Sequence, residues 1–286
     1  MGWELQRSLH ALGELVAHDR STLNLARPES IAAAVRAVRP DVIVNAAAYT
    51  AVDQAESEAS AAFAINAAAP GVLAGEARKL GALLVHYSSD YVFDGRRTGP
   101  YREEDMPGPL NAYGRSKLEG ERAIASSGCR HLILRTSWVY STRGKNFLLA
   151  ILRLAGERPE LKIVNDQRGA PTSAAALADA TAAMVRNLAA GEGGEGLYHM
   201  SAAGSTTWFG FAGAIVAANN LPCRVLPIAS RDLPLPARRP ANSLLDNGKL
   251  RRDFGITLSP WQEELARRMG DIAAAKPAAS AAGGVG

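Results

Sequence analysis

Short apolar runs alternating with helix-length stretches restrict what this chain can fold into more than any other feature. Asp41-Val-Ile-Val-Asn-Ala, Ala82-Leu-Leu-Val-His-Tyr and His131-Leu-Ile-Leu-Arg-Thr read as buried strands, and Leu15-Val16-Ala17 as another. Between them one helix opens at Pro28-Glu29-Ser30 and runs through Val38 to Arg39-Pro40. A second spans Ser57 to Leu80 and stops at Gly81, and a third covers Leu110 to Ala125. Strands and helices of these lengths in alternation form βαβ units, so the expected class is α/β, a doubly wound (Rossmann-type) parallel sheet covered on both faces. Right-handed crossovers put the C-terminal strand ends on one edge, where such sheets bind ligands.

After about Trp138 the rhythm changes. Turn residues are denser, and the segments Lys162 to Pro171 and Arg224 to Pro240 read as irregular. Residues 1–150 are therefore expected to form the sheet domain, and 151–272 mainly a smaller C-terminal lobe with some return to the sheet. Residues 273–286, rich in Ala and Gly and without an aromatic, read as a disordered tail.

Composition narrows the function classes. With 47% hydrophobic and 21% charged residues over 286 positions, the chain can bury a sizeable core. Two cysteines, Cys129 and Cys223, cannot make a disulfide framework, and no Cys/His cluster has metal-ligand spacing; no metal ligands are named, and a divalent ion bridging protomers is left open. No run approaches the ~20 apolar residues of a membrane span and no secretory leader is visible, which reads as cytoplasmic. The net charge of +4 is modest, and the pairs Arg96-Arg97, Arg238-Arg239 and Arg251-Arg252 are scattered, which argues against nucleic acid as a partner.

Two motifs carry chemistry. In Tyr113-Gly-Arg-Ser-Lys117 the phenol and the ammonium stand four residues apart, on one face of a helix. Gly120 and Ile124 continue that face, so it packs inward, and a buried lysine needs a reason. A lysine charge a few ångströms from a tyrosine favours phenolate, making the pair a tunable acid/base for a carbonyl or alcohol. The second motif, Val85-His-Tyr-Ser-Ser-Asp-Tyr-Val-Phe-Asp94, runs off a strand into polar residues. Ser89 there is a hydroxyl placed to hydrogen-bond the oxygen that Tyr113 protonates; the plainer reading is a serine cap.

Both motifs together resemble the extended short-chain dehydrogenases, and within them the dTDP-4-dehydrorhamnose reductase family. The resemblance runs from Gly2-Trp3-Glu4-Leu5 to about Arg268. It includes Asn111-Ala-Tyr-Gly-Arg-Ser-Lys117, Leu134-Arg-Thr-Ser-Trp-Val-Tyr140, Asn165-Asp-Gln-Arg-Gly-Ala-Pro-Thr172 and Pro236-Ala-Arg-Arg-Pro-Ala-Asn-Ser243. It implies a dinucleotide-binding domain over 1–150, a substrate-binding lobe over 151–272, and NADPH or NADH as hydride source for the 4-keto group of a nucleotide-linked sugar. Tyr113, Lys117 and Ser89 are the implied catalytic set, with Tyr113 donating the proton and Lys117 holding the nicotinamide ribose. Gly2, Asp19, Asn24, Leu25, Ala48, Tyr49, Thr50 and Tyr87 are implied cofactor contacts. Asp19 would favour NADH, and neighbouring Arg20 the phosphate of NADPH. Ser89, Asp90 and Trp138 are implied substrate contacts, and Arg238 and Arg239 could meet the substrate diphosphate. A homodimer is left open.

The family opens with a strand and a Gly-x-x-Gly-x-x-Gly loop that cradles the cofactor pyrophosphate. This chain begins at Met1-Gly2-Trp3, inside that motif, so weak cofactor binding by the chain as written is expected. Two other functions share these residues: a sugar-nucleotide epimerase, which retains its cofactor without net consumption, and a non-catalytic subunit like the partner of methionine adenosyltransferase.

Overall fold

The computed structural model describes residues 1–275. In chain order its first half comprises α1 (Gly2–Leu9), α2 (Pro28–Val38), β1 (Val42–Asn45), α3 (Ala59–Phe63), α4 (Ala69–Leu80), β2 (Leu83–Ser89), α5 (Ala112–Ser126), β3 (His131–Thr136) and β4 (Val139–Tyr140). The second half adds α6 (Phe147–Glu157), β5 (Glu160–Val164), β6 (Arg168–Gly169), β7 (Thr172–Ser173), α7 (Ala174–Ala189) and β8 (Gly196–His199). It continues with β9 (Thr206–Thr207), α8 (Trp208–Ala218), β10 (Arg224–Ile228), α9 (Gly248–Phe254) and α10 (Trp261–Ala275). The tail expected from residue 273 is helical to Ala275, and from 276 on it lies outside the described residues.

Four parallel strands form the main sheet in the order β1–β2–β3–β8, registered by Val42 on Leu83, Leu84 on His131 and Leu132 on Gly196. Alternation along β2 distributes its side chains between two faces. Leu83, Val85 and Tyr87 join the core cluster that also holds Leu5 and Leu9 of α1 and Leu177 and Met184 of α7. Leu84 joins the opposite cluster, with Ile31 and Val35 of α2, Leu73 of α4 and Ile124 of α5. Helices thus cover both faces. A further core, built around Tyr140, Leu148, Leu161, Phe211 and Trp261, holds α6, α8 and α10 together.

Three expectations change. Leu15-Val16-Ala17 forms no strand, and Val16 is 53% exposed. A strand persists only with a hydrogen-bonded neighbour, and β1, outermost among the described strands, has its ladder on β2 alone. The helix read from Ser57 is two α-helical pieces joined by a π-helical stretch, Ala64–Ala68, around the buried Asn66. Lys162 and Arg224 do not sit in irregular segments: β5 and β10 pair in parallel from Arg224 on Glu160 to Ile228 on Val164. Pro227 hid β10, because a proline is tolerated in an edge strand and a two-stranded sheet has only edges.

Helix ends were placed by their breakers. α2 stops at Arg39 in a left-handed conformation (φ 51°) before Pro40, and α4 stops at Gly81 (φ 69°). Among the described residues, no helix is long and apolar enough to cross a membrane.

Candidate active site

The C-terminal end of β2 and the N-terminal turn of α5 meet because a side chain is missing. Asn111 caps α5, its Oδ1 accepting from the Gly114 N–H at 2.8 Å while its amide donates to the Arg238 carbonyl at 2.7 Å. A Cβ on Gly114 would lie 2.2 Å from the Tyr91 carbonyl oxygen, so only glycine lets the helix start this close. Tyr113 consequently sits edge-on to Tyr91, ring centroids 5.6 Å apart.

Ser89 fills the capping role considered for it. Its hydroxyl caps the turn Asp90–Val92 by accepting from the Tyr91 N–H at 3.1 Å, donates to Asp90 Oδ1 at 2.9 Å, and shares a hydrogen bond with the Tyr113 side chain. Phenol, hydroxyl and carboxyl therefore form a chain. Asp90 is buried, with Ser137 Oγ 3.4 Å from its Oδ2 and the Ser243 side chain also bonded to it. Burial pushes its carboxyl up to about 6 against the pull of these hydroxyls.

Lys117 is 1% exposed, and its Nζ donates to the Tyr87 carbonyl at 2.6 Å and lies 3.2 Å from His86 Nε2. Burial brings its ammonium down to about 8, with Glu121 opposing. Burial also pushes the Tyr113 phenol up to about 12, with Ser89 opposing. The expected lowering of the tyrosine by the lysine is therefore corrected: desolvation governs both groups, and at neutral pH the phenol keeps its proton. Such a group is a proton donor.

The loop after β1 reaches the same place. Asn66, on the π-helical stretch, accepts from the Tyr49 N–H at 2.8 Å and donates to the Tyr49 carbonyl and to Ser116 Oγ, each at 3.0 Å. Tyr49 and Tyr113 pack against one cluster with Ala55, Ala62 and Ala112, while Ala48 is half-buried and Thr50 exposed. Tyr49 is thus placed in one cluster with Tyr113.

Other singled-out residues lie elsewhere or are already engaged. The exposed Asp19 carboxylate accepts from Ser21 and Thr22 in its own turn, and Asn24 Oδ1 accepts from the Ala26 N–H at 2.9 Å. Leu25 packs against the α2–α4 core. Tyr87 sends its side chain to the α7 face, its hydroxyl 2.5 Å from Thr181 Oγ1, so only its carbonyl meets Lys117. Trp138, in a left-handed conformation (φ 49°), stacks on Trp208 with centroids 3.6 Å apart, and Gly169 lies against its indole edge. That ring face packs on protein. Arg239 makes a two-pronged ion pair with Asp53, both arms at 2.6 Å, and Arg238 is exposed.

The residues present suit a dinucleotide at its reactive end. Tyr113 and Tyr49 meet near the C-terminal end of β2, the edge where parallel sheets bind nucleotides, and Lys117 stands one turn along the same helix, buried against β2. Gly2 opens α1, and a Cβ there would meet nothing within 4 Å.

Sequence reasoning missed Asn45, His86, Asn66, Asp53, Ser137 and Ser243. For His86 a signal existed: it is a polar residue inside the apolar run Leu83–Tyr87, two positions before Ser88 and so on the same face. The other five become neighbours only through the fold.

The RmlD substrate binding domain family model matches residues 1–273. A dTDP-4-dehydrorhamnose reductase of Burkholderia thailandensis is 52% identical over 274 residues, 92% of each chain. One of Escherichia coli is 44% identical, covering 95% of this chain and 94% of its own. The crystal structure of dTDP-4-dehydrorhamnose reductase from Bacillus anthracis in complex with NADP superposes with a TM-score of 0.88 at 35% identity, covering 94% of this chain and 95% of its own.

Proposed function

The chain belongs to the RmlD substrate binding domain family, and we propose on that premise that it reduces the 4-keto group of dTDP-4-dehydro-L-rhamnose with NADPH, giving dTDP-L-rhamnose. The observation that carries this reading is a protonated, half-buried phenol on Tyr113 beside Ser89, on a helix that also presents the buried Lys117. NADPH, when bound, supplies the hydride.

In this reading Tyr113 donates its proton to the sugar O4, and Ser89 holds that oxygen within reach. For that the Ser89 hydroxyl turns its one proton from Asp90, which accepts it in the structure, to the sugar O4, which only accepts. Lys117 and the loop at Ala48–Thr50 hold the nicotinamide ribose end, and the dinucleotide lies on the domain of residues 1–150. The lobe built from 151–272 binds the nucleotide part of the substrate. Besides Arg239, which is engaged by Asp53, Arg97 and Arg168 are candidate diphosphate ligands, Arg97 after release from Asp105. They line a cavity of about 400 Å³ with Thr98, Asn165, Thr207 and Asn242, one residue from Ser243 and hence from Asp90. The reading includes a cytoplasmic location.

Stoichiometry tests it. Incubation with dTDP-4-dehydro-L-rhamnose and NADPH should oxidise one equivalent of NADPH per equivalent of dTDP-L-rhamnose formed. Turnover of the sugar with no net NADPH loss would replace the reductase by an epimerase.

A further inference from the structure

Of the three arginines considered for the diphosphate, Arg239 is the one whose two arms are already filled. Its Nη1 donates to Asp53 Oδ1 and to the Ala237 carbonyl, each at 2.6 Å, and its Nη2 donates to Asp53 Oδ2 at 2.6 Å. The Tyr91 side chain, edge-on to Tyr113, is hydrogen-bonded to the same guanidinium. The Arg239 side chain is 16% exposed, and its hydrogen bonds hold the Asp53 carboxyl below the ordinary carboxylate range. Both partners are therefore charged at neutral pH, and the pair adds no net charge to its surroundings.

The places the two partners come from give the pair its meaning. Asp53 stands on the loop after β1, just past Thr50. Arg239 belongs to Ala237–Ser243, an irregular stretch with no continuous ladder to hold it. At the start of that stretch the Ala237 N–H donates to Asp53 Oδ1 at 3.1 Å, and the Arg238 carbonyl accepts from Asn111, the cap of α5. At its end the Asn242 amide donates to the Arg97 carbonyl at 2.8 Å, and the Ser243 N–H donates to the Arg168 carbonyl at 2.8 Å. Asn242, Arg97 and Arg168 line the cavity of about 400 Å³, and the Ser243 side chain reaches Asp90. One end of the stretch is thus tied to the loops beside Tyr113, and the other forms a wall of the cavity.

We propose that Asp53 and Arg239 are a positioning pair that fastens Ala237–Ser243 to the loop after β1 and so shapes the cavity for the nucleotide diphosphate, with neither residue touching the phosphates. The proposal rests on the reductase reading, which names the ligand of that cavity. A stretch without a ladder is held by such bonds alone, and loosening it returns backbone freedom that a ligand must then remove on binding.

Calorimetric titration with dTDP, in the absence of cofactor and turnover, tests the pair through the sign of one change. Asp53→Asn keeps the size of the side chain and removes its charge. Were Arg239 a phosphate ligand restrained by Asp53, this variant would free a cation and bind dTDP more tightly, since loss of a negative charge favours an anion. A positioning pair gives the opposite: dTDP binding weaker on the order of tenfold in Asp53→Asn. Arg239→Lys, which keeps the charge and loses the two-pronged geometry, should weaken dTDP binding similarly, and in turnover KM for the sugar nucleotide should rise more than kcat falls. A variant that is merely less stable would melt earlier with its dTDP affinity unchanged. Unchanged or tighter dTDP binding by Asp53→Asn overturns the proposal alone; a wild type that does not bind dTDP overturns the reductase reading and the proposal with it.

Discussion

Asp90 shows what a buried carboxyl costs and where that cost is recovered. Its folded pKa, about 6, lies above the ordinary value of 3.8, so between those values the folded chain binds more protons than the unfolded chain. Stability therefore falls as pH rises from about 4 to about 6, by on the order of 3 kcal/mol from this group once it is fully ionised. In Asp90→Asn that slope disappears. Urea denaturation at about pH 4 and about pH 7 should show the variant gaining on the wild type by roughly this amount at the higher pH. Equal differences at both pH values would mean that Asp90 ionises as freely as a surface carboxylate. Legibility at this scale followed covalent spacing. Tyr113 and Lys117 share a helical face by arithmetic, and Ser89 ends an apolar run. Their charge states were not legible, because desolvation depends on what covers a group and not on its neighbours in sequence. The same limit hid the Arg239–Asp53 pair, which joins positions 186 apart.

At the scale of elements, α5 is the part that aims the chemistry, and two glycines set its seat. Gly114 lies under the Tyr91 carbonyl, and a Cβ on Gly120 would lie 2.1 Å from the Asn66 carbonyl oxygen. Gly114→Ala must push the first turn of α5 outward and carry Tyr113 away from Ser89. A displacement of about 1 Å at a reacting group costs on the order of a hundredfold in rate, so kcat should fall by tens- to a hundredfold. Gly75→Ala in α4, where a Cβ meets nothing within 4 Å, should leave activity unchanged and stabilise its helix by up to about 1 kcal/mol. Equal kcat in both variants would remove the seating role of Gly114. Helices with strong ends, such as α2 and α4, were readable because proline and glycine mark them. The short β10 was not, since Pro227 spoke against a strand until its partner β5 was known. Leu15–Ala17 failed in the opposite way: an apolar triplet suggests a strand, but pairing makes one.

For the whole molecule, function lies where segments distant in sequence converge on one edge of the parallel sheet. The loop at Ala48–Thr50, the end of β2, the start of α5, and Ser137 and Ser243 meet around Tyr113 and Asp90. Alternating strands and helices made that edge predictable, and motif spacing placed its central residues. The hydroxyl ring around Asp90 and the fastening of Arg239 to Asp53 are tertiary products, with no local pattern to announce them. The central claim is that this convergence makes Tyr113 the acid that completes hydride transfer to the sugar. Its most direct test is the single-turnover rate of NADPH oxidation by dTDP-4-dehydro-L-rhamnose in wild type and Tyr113→Phe at about pH 7, with NADPH binding measured alongside. The account predicts a loss of about a hundred- to ten-thousand-fold in rate with cofactor binding retained; a phenylalanine variant that transfers hydride within a few-fold of the wild type would contradict it.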